Sequence, residues 1–260
     1  MNFLGINPLL LLILCPLIFL SGFVDSIAGG GGLISLPAYM IIGLPPHVAR
    51  GTNKISSFLG TFTATVRYAK KGFIPYRQAI FCVVFALGGS FIGTKLGLLV
   101  DENVFKIIML VIIPATAAYV WFHKQSFELK TPYSTVITTL LACAVAFVIG
   151  MYDGFYGPGT GTFLLLLLTS VAHLSIDKAQ GISKSINVTT NATSLVIFII
   201  EGKALIATGL IAGAFSMAGS ILGTKMYFKD TTKVVRPVMI AVLVIFFVKV
   251  LLEVIGVEVF

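Results

Sequence analysis

Two short stretches carry the residues best suited to handle a charged solute. "GTNKIS", residues 51–56, holds Thr52, Asn53 and Lys54, and "GISKSIN", residues 181–187, holds Ser183, Lys184 and Asn187. Each sets neutral amide or hydroxyl donors beside one ammonium, a combination that replaces the hydration shell of a small oxyanion with hydrogen bonds. A lysine here has a second reading, in which its long stem carries the charge out to a membrane surface. An amide has no such stem, so Asn53 and Asn187 are the stronger site candidates.

Each stretch follows an acid and a glycine break. Gly30, Gly31 and Gly32 come after Asp25, and Gly157, Gly159, Thr160 and Gly161 come after Asp153. Glycine runs let backbone N–H groups converge on one point, and a helix starting there adds partial positive charge. Close helix packing also selects glycine in membranes, but Gly and Pro at matching places in the two stretches favour broken helices. Asp25 and Asp153 are open to two roles. One is an intramembrane carboxylate that couples protons or gates by pairing with a cation; the other is a cap on the N–H groups of the next half-helix.

The elements that position these residues are apolar. The chain has 260 residues, 57% hydrophobic and 11% charged, with a mean hydropathy of +1.03. A soluble domain needs more polar surface than that. Apolar segments fall near 8–28, 33–46, 52–69, 75–99, 103–122, 132–152, 160–176, 180–200, 204–228 and 234–255, many long enough for a spanning helix. This predicts an all-α polytopic membrane protein with 8–10 membrane segments and broken or re-entrant helices; the runs lack the alternation of a β-barrel. The net charge of +8 lies in short loops, the positive-inside pattern, so nucleic acid is not an expected partner and the lipid bilayer is. Cys15, Cys82 and Cys143 sit in apolar stretches and read as small hydrophobes. His47, His123 and His173 share no metal-ligand spacing, and no Walker A loop, HExxH or nucleophile elbow occurs. Neither a catalytic residue nor a cofactor or metal is therefore expected.

The chain repeats itself. "GSFIGTK" ending at Lys95 matches "GSILGTK" ending at Lys225, an offset of 130 that also relates Ala49–Arg50–Gly51 to Ala179–Gln180–Gly181 and Lys54 to Lys184. Asp25 aligns with Asp153 after a shift of two residues. Duplication is the reading: a first repeat over 1–122, a cytoplasmic linker over 123–131 and a second repeat over 132–260. Loop 67–77 carries Arg67, Lys70, Lys71 and Arg77, whereas its mate Glu201–Gly202–Lys203 is neutral overall. Equivalent loops thus prefer opposite sides, which predicts inverted-topology repeats with both termini outside. Secondary transporters are built this way, with sites at the repeat interface.

The signatures "GGGG", "GLPPHVARGTNK" and "GFYGPGTGTF" resemble those of the TauE/SafE sulfite-exporter family of permeases, over nearly the whole chain. The resemblance implies about eight spans and a small anionic substrate, such as sulfite, thiosulfate, sulfoacetate or another organosulfonate, carried across a bacterial inner membrane. "GISK" replaces "GTNK" in the second repeat, a departure from exact equivalence. Two alternatives stay open: a cation- or proton-coupled permease for another small carboxylate, and a membrane assembly or cofactor-handling protein. The sequence leaves the oligomeric state open.

Overall fold

The computed structural model describes residues 7–99 and 133–229, together with 244, 248 and 252. The expected segments 103–122 and 234–255 and the linker 123–131 lie outside the described residues. The described chain is helical: α1 (Leu11–Ala28, after a 3-10 turn at Pro8–Leu10), α2 (Gly32–Ile41), α3 (Pro46–Lys70), α4 (Tyr76–Leu99), α5 (Thr135–Phe155), α6 (Thr160–Ser170), α7 (Ile176–Ile200) and α8 (Ile206–Lys229).

Three kinds of helix are present. The stretch Pro8–Ala28 and helices α4, α5 and α8 are long and apolar enough to cross a membrane. They expose large side chains such as Leu12, Phe81, Phe91, Leu140 and Leu222, which suits hydrocarbon as the surrounding solvent. Helices α3 and α7, 25 residues each, are the polar ones, and they are inside. Thr52, Asn53, Lys54, Thr61, Gln180, Lys184, Asn187 and Ser194 are all buried, because polar groups in a membrane protein face the protein interior rather than lipid. Helices α2 and α6 have 10 and 11 residues, or about 15 Å at 1.5 Å per residue, half the hydrocarbon thickness.

These half-helices are shorter than the expected segments 33–46 and 160–176. After α2 the chain turns at Gly43, whose φ of 86° is left-handed, and Pro46 occupies the first turn of α3, where a missing N–H costs nothing. Helix α3 therefore starts before the expected residue 52. Likewise α7 starts at Ile176, ahead of the expected residue 180, with Asp177 in its first turn complementing the helix dipole.

The packing is reciprocal between the halves. Helix α1 packs along α8 as α4 packs along α5, and α3 meets α8 as α7 meets α4. Individual contacts repeat the exchange. Gly22 abuts the Ser216 carbonyl and Gly150 the Ala86 carbonyl; Gly89 abuts the Phe147 carbonyl and Gly219 the Phe19 carbonyl. Residues at equivalent positions of the two halves thus meet reciprocally. Helices α3 and α7 run antiparallel, since Gly51 abuts Phe198 while the Thr65 hydroxyl donates to the Lys184 carbonyl at 3.1 Å. The turn at 71–75 thus lies against the start of α7, where Gly181 meets Phe73, and the turn at 201–205 lies against the start of α3, where Gly51 meets Lys203. The two turns are at opposite ends of the bundle.

The glycine contacts make a simple prediction. A Cβ at Gly93 would overlap the Met151 backbone, whereas at Gly88 it meets nothing within 4 Å. Gly93→Ala is expected to cost about 1–3 kcal/mol by forcing α4 from α5, and Gly88→Ala to cost nothing. Thermal unfolding of the purified variants in one detergent measures both.

Candidate functional site

The site forms where the two breaks cross. Helix α1 stops because Gly29 turns left-handed (φ 76°), its N–H donating to the Asp25 carbonyl at 2.8 Å. Helix α5 stops ahead of Gly157 and Gly159, left-handed at φ 100° and 82° on either side of Pro158. The breaks touch through backbone: the Gly161 N–H donates to the Gly29 carbonyl at 3.1 Å, and the Thr162 hydroxyl to the Ala28 carbonyl at 2.7 Å. A side chain on Gly29 would overlap Gly161. Glycine at these two positions is a condition of the crossing.

A helix that ends inside a membrane leaves carbonyls with no water to bond. Here the opposite half supplies the donors. Arg50 donates to the carbonyls of Gly154 and Phe155 at the end of α5, and to Gly97. Gln180, the repeat mate of Arg50, donates to Ser26 at 3.1 Å and Ile27 at 2.9 Å, at the end of α1. The lysines follow the same rule. Lys54 donates to the Asp153 carbonyl, its carboxylate and Asn191 Oδ1, at 3.2–3.3 Å. Lys184 bonds the Asp25 carbonyl and meets its carboxylate at 3.0 Å.

Both lysines are buried, at 5% and 0% exposure, so neither reaches a membrane surface. Each aspartate is the counter-ion of a lysine from the other half, at 3.0–3.2 Å.

Between the breaks lies a cavity of about 40 Å³. The starts of α2 and α6 reach it through Gly32, Thr160 and Gly161; α3 contributes Arg50, Asn53 and Lys54, and α7 contributes Asn187 and Asn191. Asp25, Asp153 and Gly157 complete the polar wall. Lys184 stands behind Asp25, so that among the described residues Arg50, Lys54 and Lys184 gather around the carboxylates of Asp25 and Asp153. Asn187 is 4% exposed and its Oδ1 has no hydrogen-bond partner. Turning the amide over would present its NH₂ group at that position instead.

Six sequence candidates are placed elsewhere. The Gly30 carbonyl accepts from Leu33 N–H. Gly31 faces α1, where an added Cβ would meet Ser21 and Asp25, so its value is in packing. Gly159 precedes α6 with its Cα side toward Phe163. The Thr52 hydroxyl accepts from Leu205 N–H at 3.0 Å, tying α3 to the start of α8. Ser183 is buried with its hydroxyl unpartnered, and Lys184 acts through Asp25. Sequence reasoning missed Arg50, Ser57, Thr61 and Asn191, all of which line the cavity. The signal was present: 53, 57 and 61 on α3 mate with 183, 187 and 191 on α7 at the repeat offset, one polar residue per turn.

A broken-helix crossing held by reciprocal ion pairs, inside apolar helices, has a counterpart in known sequences. The model of the sulfite exporter TauE/SafE family matches residues 14–250. The chain belongs to that family. Relatives include a probable membrane transporter protein of Haemophilus influenzae, 34% identical over 89% of this chain and 90% of that protein. The probable membrane transporter protein ORF9 of a Sinorhizobium species is 31% identical over 86% of this chain and 85% of its own length. YfcA of Escherichia coli, also a probable membrane transporter protein, is 29% identical over 98% and 94%. No solved structure matches. This member of the TauE/SafE family is an integral membrane transporter.

Its central ion pairs are testable as structure. Lys54→Met strands the buried Asp153 carboxylate and is expected to destabilise by about 3–5 kcal/mol. Adding Asp153→Asn removes the stranded charge and should recover most of the loss. Thermal unfolding of the single and double variants reads the coupling; equal losses would show that the pair carries no energy of its own.

Proposed function

We propose that this protein is a secondary transporter of small oxyanions, with sulfur oxyanions of the size of sulfite or thiosulfate first. The observation that supports this is the central cavity, whose wall carries Arg50 and Lys54, the amides of Asn53, Asn187 and Asn191 and the N-terminal ends of two half-helices. Anions are favoured at such ends by the helix dipole. An unpaired anion in a low-dielectric cavity is otherwise prohibitively costly to desolvate. Asn53 and Asn187 would replace part of the hydration shell, and Lys54, held by Asp153, would raise the local potential without gripping the ion.

Size narrows the class. A cavity of about 40 Å³ has room for a few water-sized groups, which matches an ion of four or five heavy atoms. No nucleotide-binding loop occurs in the sequence, so an ion or substrate gradient is the energy source in this reading. The exchange of the halves supports alternating access: rocking of one against the other would open the cavity first to one face and then to the other.

Flux into liposomes, with sulfite, thiosulfate, sulfoacetate, taurine, sulfate and acetate compared, tests the reading. Sulfite or thiosulfate should be carried fastest. Losing one amide that donates to a charged ligand costs roughly 1.5–3 kcal/mol, so Asn53→Ala should weaken apparent affinity about ten- to a hundred-fold. Wild-type affinity in that variant at equal protein level would place the site elsewhere.

The inverted arrangement has its own test. Lys71 and Glu201 are exposed repeat mates, and the native cysteines described are buried. Lys71→Cys and Glu201→Cys should react with an impermeant maleimide from opposite faces of the membrane, Lys71→Cys from the cytoplasmic one. Labelling of both from one face would overturn the inverted repeat.

A further inference from the structure

Three asparagine amides line the cavity, and two of them are held by their oxygens. Asn53 Oδ1 accepts from the Ser57 hydroxyl at 3.3 Å, one turn along α3. Asn191 Oδ1 accepts from Lys54 at 3.2 Å, and its NH₂ group reaches the Thr61 hydroxyl at 3.5 Å. An amide oxygen fixed in this way also fixes where the NH₂ group points. Asn187 is the exception. It is 4% exposed, and its Oδ1 has no partner among the described residues. A Cβ on Gly161 would meet the Asn187 NH₂ group, so that group lies at the start of α6, on the cavity wall.

A second unpaired atom lies one turn away. Ser183 is fully buried, and its hydroxyl too has no partner among the described residues. The two residues are i and i+4 on α7, where side chains share a face with Cβ atoms about 5–6 Å apart. Helical side chains lean toward the N-terminus, which aims Asn187 toward Ser183. At the offset of 130, Ser183 and Asn187 match Asn53 and Ser57. The same two residue types thus stand one turn apart in both helices, in opposite order, and only in α3 are they bonded. A buried polar atom left unpaired is destabilising, and each such group calls for a physical reason.

We infer that Ser183 is a positioning residue for Asn187, and that the pair closes when an anion enters the cavity. The inference rests on the anion reading above. Rotation about the Ser183 and Asn187 side-chain torsions brings the hydroxyl onto Oδ1. The Ser183 O–H then donates to Oδ1, and the Asn187 NH₂ group is held toward the cavity. An oxyanion accepts from that NH₂ group, so it binds the closed arrangement better and shifts the protein toward it. Binding the anion and pairing the two buried atoms become one event. Asn53 needs no such step, because Ser57 already holds it. One amide is preset, and its counterpart is set by the substrate.

Thermal unfolding of the purified protein in one detergent, with and without thiosulfate, tests this. Without anion, Ser183→Ala removes an unpaired hydroxyl and should melt at or above the wild type. Ser57→Ala removes a bonded one and should melt below it. Thiosulfate should raise the wild-type midpoint, and titration of that shift should show about three- to tenfold weaker affinity in Ser183→Ala. Asn187→Ala should weaken it further. Adding Ser183→Ala to Asn187→Ala should then cost no more affinity, because the hydroxyl acts only through the amide. A Ser183→Ala variant that melts as low as Ser57→Ala without anion has lost a structural contact and overturns the inference. An equal loss of affinity from Ser183→Ala in both backgrounds overturns it as well. The melting comparison serves even if Asn187→Ala does not fold. A wild type that thiosulfate, sulfite and sulfate all leave unshifted rejects the anion reading, and the inference with it. A shifted wild type with equal affinity in Ser183→Ala rejects the inference alone.

Discussion

A helix broken inside a membrane must find partners for its terminal carbonyls, and everything at the centre of this protein answers that demand. Water cannot bond them and lipid offers nothing. Each half therefore lends its α3-type helix to the other half's break. Arg50 and Lys54 hold the end of α5, and Gln180 and Lys184 hold the end of α1. Once lysines are committed to buried carbonyls, their charge needs compensation, and Asp153 and Asp25 stand on the very residues whose carbonyls are being held. Backbone satisfaction and charge neutrality are met by the same contacts.

Reciprocity also explains why the polar helices are central and the apolar ones peripheral. Helices α3 and α7 must reach both breaks, so they run antiparallel through the middle, and α1, α4, α5 and α8 close around them. Close approach is needed for that closure, and it is supplied by glycines whose missing Cβ atoms let one helix rest on the carbonyls of the next. The half-helices α2 and α6 then point their starts inward, where their dipoles meet the cavity.

The departures from reciprocity carry the function proposed for the site. Arg50 and Gln180 perform the same bonding task, yet only Arg50 is charged and only Arg50 lines the cavity. Ser57 holds the amide of Asn53, while their counterparts Asn187 and Ser183 stand unbonded.

The membrane class, the apolar segments and the glycine breaks were legible in the sequence, because lipid solvent imposes long apolar runs and glycine and proline interrupt them. The identities of most cavity residues were legible for the same reason: Asn53, Lys54, Asn187 and the two aspartates are polar where lipid forbids polarity. Which of them touch was not. Lys54 and Asp153 are 99 positions apart, and only the crossing of the breaks makes them neighbours. The same holds for Arg50, which meets the end of α5 about a hundred positions away. Gly31 and Thr52 had suitable chemistry, but helix rotation turned one toward α1 and the other toward α8. Sequence fixes composition and period along one chain; the partner of a buried charge is chosen by the packing of helices distant in sequence, where the cost of leaving it unpaired permits few arrangements.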